Sequence, residues 1–210
     1  MNSAGAEFFY LKMDNLGDFF MELLKEKILK EGRVAGEEIL KVDSFLNHQL
    51  DANLLYEIGR EFKRLFNEKK VTKILTIEAS GIGIAAVAAL HFNVPVVFAK
   101  KVASKNLDNE TYKTEVYSFT KQKNYDVRVS KRYLNEQDHI LILDDFLANG
   151  RAALGLMDLV EQSGAELAGI GIVIEKTFQE GGQVLRDKGV HLESLAKVNR
   201  FTDGHITFQA

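Results

Sequence analysis

Hydrophobic and polar positions fall into two alternating patterns along most of this chain. Short, nearly continuous aliphatic runs mark strands buried on both faces. They are Ile74-Leu75-Thr76-Ile77-Glu78, Val94 to Ala99, Ile140-Leu141-Ile142-Leu143 and Leu167 to Ile174. Val190 to Val198 and His205 to Phe208 continue the series as late strands. Between the runs the period changes to that of a helix. Asp51 reads as an N-cap for a helix that carries Leu54, Leu55, Ile58, Phe62, Leu65 and Phe66 on one broad stripe. Further helices follow from Ala79, from Ala152 to Gln162 with Gly164 as the stop, and around Gln183 to Lys188. Glu22 to Leu29, after the internal Met21, also repeats at helical spacing. Strands alternating with helices predict an α/β fold: a mostly parallel central sheet flanked by helices.

Some stretches break the pattern. Residues 1–20 fit no clear element and read as an appendage, an alternative start or a leader, on a single domain spanning 21–210. Ile39 to Gln49 is too irregular for an amphipathic helix and sets Asp43, Ser44, Asn47, His48 and Gln49 among apolar residues. It is either a loop folded over a polar small molecule or a purely structural loop. Residues 102–138 lack helical periodicity. Within them Val116 to Thr120 and Tyr125 to Val129 are β-like, separated by the turn-prone Lys123-Asn124, and together predict a flap. Pro95 sits at the first residues of its strand, where a missing N–H is tolerated.

Composition narrows the chemistry. With 210 residues, 46% of them hydrophobic, the chain can bury the core of one full domain. It has no cysteine, which removes disulfides, thiolate metal sites and cysteine nucleophiles. His48, His91, His139, His191 and His205 are scattered, with no pair at metal-ligand spacing, so no metal site is expected. The net charge of −3 gives no reason to expect a nucleic-acid partner. Its distribution matters more: Lys100 to Arg132 holds nine Lys/Arg against four acids, hence +5, and the remainder carries −8. A basic segment on an acidic body fits a local anionic ligand, or a merely solvated loop. No run approaches the length of a membrane span, and Met1 to Phe20 lacks the basic start and apolar core of a signal peptide. A soluble, cytoplasmic protein is the expectation.

The candidate chemistry gathers at strand carboxyl ends. After Ile140 to Leu143 come Asp144-Asp145, a small-residue turn with Asn149 and Gly150, and a helix start at Ala152. Turn amides and a helix N-terminus can hold a phosphate, and adjacent carboxylates can accept hydrogen bonds from vicinal hydroxyls. The bland alternative is two solvated acids where a strand surfaces. Gly81-x-Gly83-x-x-Ala86, between a strand and a helix, matches a dinucleotide fingerprint. The acid expected about 20 residues later is replaced by Lys100-Lys101, which leaves a weak NADP version. Lys176 ends the Leu167 strand, where an ordinary surface lysine is the plain reading. In a parallel sheet these ends converge.

Ile140 to Ala152 resembles the phosphoribosyl-diphosphate (PRPP) signature of the type I phosphoribosyltransferases. Leu40 to Gln49, Tyr117 to Gln122, Asp144 to Gly150 and Gly169 to Lys176 are similar to the xanthine-using branch of that family. The resemblance runs from about Met21 to the last few residues. It implies the type I phosphoribosyltransferase fold with a β-rich flap and a small hood from the N-terminal segment. It also implies transfer of the 5-phosphoribosyl group to xanthine, giving XMP and diphosphate, with Mg2+ carried by PRPP.

Carried onto this sequence, Asp144 and Asp145 would hold the ribose hydroxyls and steady positive charge at the anomeric carbon. Ala148, Asn149, Gly150, Arg151 and Ala152 would cradle the 5′-phosphate. Ser80 and Gly81, with Lys100 and Lys101, would meet the diphosphate. Leu40, Asn47 and Lys176 would form the xanthine pocket, and Phe146 and Phe178 are candidates to stack on the base. The wider family usually has Thr or Ser where Asn149 stands; an amide still donates to phosphate. The resemblance further implies a homodimer. Two other readings stand beside the enzyme: a PRPP-sensing regulatory protein of the same fold, and an NADP-binding oxidoreductase.

Overall fold

A computed structural model describes residues 22–36, 38–101, 110–118, 123–202 and 205–209. The expected appendage at 1–20 lies outside them. Helix α1 covers residues 22–31 and leads into an antiparallel hairpin, β1 (Arg33–Ala35) and β2 (Ile39–Lys41). This hairpin is the hood, and the sequence pattern did not predict its strands.

The irregular stretch that follows is one wide π-helical turn, Asp43–Asn47. Gln49 N–H donates to Asp43 O at 2.8 Å and Asp51 N–H to Phe45 O at 2.9 Å, spans of six residues that match neither a strand nor an α-helical period. Phe45 and Leu46 are fully buried and pin the turn to the core, leaving its polar residues around them.

Helix α2 (Ala52–Leu65) starts as the stripe predicts, with the Asp51 carboxylate accepting from Leu54 N–H at 3.1 Å. The main elements then alternate: β3 (Lys73–Ile77), α3 (Ser80–Phe92), β4 (Val96–Ala99), the flap hairpin β5 (Thr111–Ser118) and β6 (Lys123–Ser130), and β7 (His139–Leu147). Helix α4 (Arg151–Ser163), β8 (Glu166–Lys176), α5 (Gly181–Asp187), β9 (Leu192–Thr202) and β10 (His205–Phe208) complete the chain. Gly164, at φ 74°, ends α4 as expected. Lys123 and Asn124 lie inside β6, opposite Ser118 and Tyr117, and so are not the turn between the two flap strands.

The central sheet has the order β10-β9-β8-β7-β3-β4, parallel throughout except for β10 against β9. Strand residues alternate between two apolar layers. Ile74, Leu141, Leu143 and Val173 face the side covered by α1, α2 and α3. Leu75, Ile140, Ile142 and Ile170 face the side of α4 and the flap. That double cover is why the aliphatic runs are continuous. On the first side the fully buried Phe62 and Phe66 rings occupy the space over Gly171 and Gly169. Burying a ring of this size contributes about 1.5–3 kcal/mol.

The chain passes from β3 through α3 to β4 on one side, then returns through β7, α4 and β8 on the other. The order therefore reverses between β3 and β7. In an open α/β sheet the crevice beyond such a reversal is where ligands bind.

Candidate active site

The acidic pair does not lie beyond its strand. β7 runs on to Leu147, so Asp144 and Asp145 sit within it, 6% and 8% exposed. Solvated acids at a surfacing end are thereby excluded. Asp144 Oδ1 accepts from Asp145 N–H at 3.0 Å, and Asp145 Oδ1 accepts from Phe146 N–H at 2.9 Å. Burial, and next the neighbouring Asp145 charge, push the Asp144 carboxyl well above the usual carboxylate range.

Asn47 Nδ2 donates to Asp145 Oδ2 at 3.3 Å from the wide turn, while Asn47 Oδ1 is buried with no hydrogen-bond partner. The first turn of α3 approaches from the other side. A Cβ on Gly81 would collide with Thr76 Oγ1 and stand 3.2 Å from Asp144 Oδ1, so the helix start can lie this close to the acids because no side chain intervenes. Ser80 shares an open recess with Asn47, His48, Arg33 and Asp43. The Glu78–Ala79 peptide ahead of it is cis.

Ala148, Asn149 and Gly150 form the loop after β7, and Arg151 and Ala152 begin α4, one residue earlier than the sequence suggests. Gly150 has φ 76°, a conformation that favours glycine. All five line a cavity of about 310 Å³ with Phe146, Lys176, Gln179, Glu38 and Ile39. Lys176 Nζ lies 5.5 Å from the Phe146 ring centroid and donates to the Glu38 carbonyl at 2.6 Å. Burial lowers its pKa, and the Glu38 and Asp145 carboxylates oppose that shift.

Not every expected residue joins this group. Lys101 N–H donates to Glu78 Oε1 at 2.6 Å, and the Lys101 charge is felt at Asp144. Lys100 instead exchanges backbone hydrogen bonds with Arg128 at 2.9 and 3.0 Å, and its ammonium lies 5.9 Å from the Phe98 ring, in a groove along β4. The Leu40 side chain is buried in the apolar core. Phe178 packs edge-on against Phe201, centroids 5.3 Å apart, and Phe146 is the aromatic residue that lines the cavity. On the flap, Lys113 and Arg128 pair with Asp126 at 3.0 and 3.1 Å, which neutralises part of its basic charge.

The glycine fingerprint also resolves into packing. Gly81 is closed by Thr76 and Asp144, and Gly83 by Leu50. Sequence reasoning missed Glu38, whose contribution is a backbone carbonyl, and Gln179 and Gly181. The Gly181-Gly182 doublet just past a strand end was the available signal. Among the described residues no group of three or more His, Asp or Glu side chains is placed to hold a metal ion, and no helix is long and apolar enough to cross a membrane.

A buried acidic pair, a small-residue loop running into a helix and a second helix start lie together at the reversal of a parallel sheet, an arrangement suited to holding a phosphorylated sugar. Residues 43–199 match the phosphoribosyl transferase domain, and the chain belongs to that family. Among solved structures it is similar to an adenine phosphoribosyltransferase from Thermoanaerobacter pseudethanolicus. That likeness has TM-score 0.62 and 26% identity, over 70% of this chain and 82% of that one. The corresponding enzyme from Rhodothermus marinus shares the fold, with TM-score 0.70 at 22% identity over 86% and 99% of the two chains. More similar in sequence are proteins named xanthine phosphoribosyltransferase. The one from Ruminiclostridium cellulolyticum is 63% identical over 90% of this chain and 99% of its own length. That from Clostridioides difficile is 61% identical over 90% and 100%. A third, from Bacillus cytotoxicus, is 56% identical over 90% and 95%.

Proposed function

We propose that the protein transfers the 5-phosphoribosyl group of PRPP to xanthine, forming XMP and diphosphate in purine salvage. The observation that carries this reading is that the loop at 148–152 and Lys176 line one cavity at the end of the strand that holds the Asp144-Asp145 pair, with the Asp145 charge felt at Lys176. Relatives of the same name at 56–63% identity over 90% of the chain support xanthine as the base.

In the reaction the bond from the anomeric carbon to diphosphate breaks as the bond to a base nitrogen forms. Positive charge develops on the ribose between these events. Carboxylates fixed in a buried strand answer that charge without reorganising, and they accept hydrogen bonds from the 2′- and 3′-hydroxyls before it appears. Backbone N–H groups of Ala148 to Ala152 take the 5′-phosphate, aided by the positive end of α4. Magnesium enters as part of the Mg–PRPP substrate. The leaving diphosphate meets Ser80, Gly81 and the start of α3, with Lys101 as the cation whose charge already reaches Asp144. Lys100, turned toward Phe98, needs a rearrangement to join it.

On the base side Lys176 donates to a xanthine oxo group, exchanging the Glu38 carbonyl for it. The unpaired Asn47 Oδ1 is an acceptor for a ring N–H, and Leu40 contributes through its backbone, since its side chain is core. Xanthine ionises readily, so its nitrogen needs no strong general base. A cytoplasmic homodimer belongs to the same reading.

The test is a base panel of xanthine, guanine and hypoxanthine with Mg–PRPP, read by nucleotide formation. XMP should dominate, with guanine used weakly or not at all. Equal use of all three bases, or no PRPP-dependent nucleotide, would overturn the proposal.

A further inference from the structure

Outside the crevice described above lies a charged pair, Glu175 buried in β8 and Arg186 partly exposed on α5. Glu175 is 1% exposed, although Lys176 beside it lines the cavity. Its two oxygens accept from the Arg186 guanidinium of α5 at 2.8 and 2.7 Å, a two-pronged match that fixes both distance and orientation. Burial raises the Glu175 pKa, but Arg186, through its hydrogen bonds and charge, together with Ser194 and Lys197, holds the carboxyl below its usual range.

The start of α5 is packed between this pair and the loop after β7. A Cβ on Gly182 would collide with Glu175 Oε1 and stand 2.5 Å from Arg186 Nη1. A Cβ on Gly181 would collide with Ala148 O and stand 2.5 Å from Gly150 N. Gly181 N–H donates to Ala148 O at 3.0 Å, and a Cβ on Gly150 would sit 3.1 Å from Gly181 Cα. In the sheet, Glu175 is paired opposite Leu147, the last strand residue before the loop. The loop is thus braced by the β7–β8 ladder and by the α5 backbone, and Glu175 takes part in both.

We propose that Glu175 and Arg186 are positioning residues for the loop at Ala148–Gly150, holding α5 against β8 so that Gly181 supports the phosphate-binding backbone from behind. The proposal rests on the reading of that loop as the 5′-phosphate site. A site that binds through backbone N–H groups depends on the shape of its backbone, and support from behind keeps that shape.

The test compares Arg186→Gln, Arg186→Lys, Gly181→Ala and the loop variant Gly150→Ala. Each is assayed for kcat, for KM of PRPP and of xanthine, and for PRPP binding by calorimetry without base, with circular dichroism as the folding check. Arg186→Gln should raise KM for PRPP about tenfold and leave KM for xanthine within about twofold, the scale on which small misplacements of binding groups act. Arg186→Lys should recover part of the loss. A lower melting temperature with unchanged PRPP binding, or equal increases in both KM values, would overturn the positioning role. Should Arg186→Gln not fold, Gly181→Ala carries the same expectation while leaving the ion pair intact, and unchanged PRPP binding there is equally fatal. If Gly150→Ala leaves PRPP binding untouched, the loop assignment falls and the brace with it. If Gly150→Ala weakens PRPP and Arg186→Gln does not, the brace alone falls.

Discussion

Replacing Asp144 by Asn should make the unliganded protein more stable and less active. Asp144 is buried, and its carboxyl is pushed well above the usual range, first by that burial and then by Asp145 beside it. An amide keeps the acceptor that receives Asp145 N–H at 3.0 Å. It also replaces the second oxygen, facing a like charge, with an N–H donor. The sign follows from proton linkage. Between the ordinary aspartate value of 3.8 and the raised folded value, the folded state binds more protons than the unfolded chain. Stability therefore falls as pH rises through that window, and the loss is complete above it. The Asn variant escapes this loss. Its gain should be absent near about pH 4 and grow toward neutrality. Relieving a functional strain of this kind commonly returns about 0.5–2 kcal/mol. For a domain of this size that is a melting temperature higher by about 1–8 °C. Turnover should fall on the order of a hundredfold, as for loss of other preorganised groups that stabilise transition-state charge. The assay is thermal unfolding of both proteins at about pH 4 and about pH 7.5, without substrates, alongside kcat at saturating PRPP. An Asn variant no more stable than wild type at the higher pH, or a stability gap that does not change with pH, would refute the reasoning.

Lys176→Met keeps the stem over Phe146 but removes a charged donor, a loss of about 1.5–3 kcal/mol in similar bonds. The Glu38 hydrogen bond given up on base docking offsets part of that, so KM for xanthine should rise about 5–30-fold with KM for PRPP little changed. Asp51→Ala removes the cap of α2 and the 3.0 Å bridge to Lys27, and should cost about 1 kcal/mol in chemical unfolding without altering either KM.

Much of the architecture was legible because its elements have a period. The stripe from Leu54 to Phe66 could be only a helix, and its cap at Asp51 is a local event that sequence records well. The aliphatic run at Ile140 to Leu143 showed a buried strand but not where it stops. Two consecutive carboxylates normally end a buried strand, since ionised groups resist desolvation. Here Asn47, the Gly81 approach and the strand's own N–H groups let it continue, and all but the last are tertiary. The wide turn at Asp43–Asn47 has no repeat to detect. Lys100 and Lys101 are adjacent and alike in sequence. Backbone pairing of Lys100 with Arg128 places it in the β4 groove, while Lys101 is tied to Glu78 on the acidic side.

Two unfavourable terms lie where substrates would relieve them. Asp144 is a carboxyl held out of water beside another, and Asn47 Oδ1 is a buried acceptor without a donor. An unsatisfied buried group of that kind costs about 1–3 kcal/mol. Both lie near the reversal point, where β3 and β7 lead to different helices and helix starts meet the sheet. On the proposed function, ribose hydroxyls would donate to the first, and a base N–H to the second. The two apolar layers on either face of the sheet supply the stability that offsets the buried Asp144 carboxyl and the unpaired Asn47 Oδ1 in the free protein. A site built from unmet acceptors is complementary to a ligand rich in donors before that ligand arrives, and the rigid strand spares the reaction the cost of arranging them.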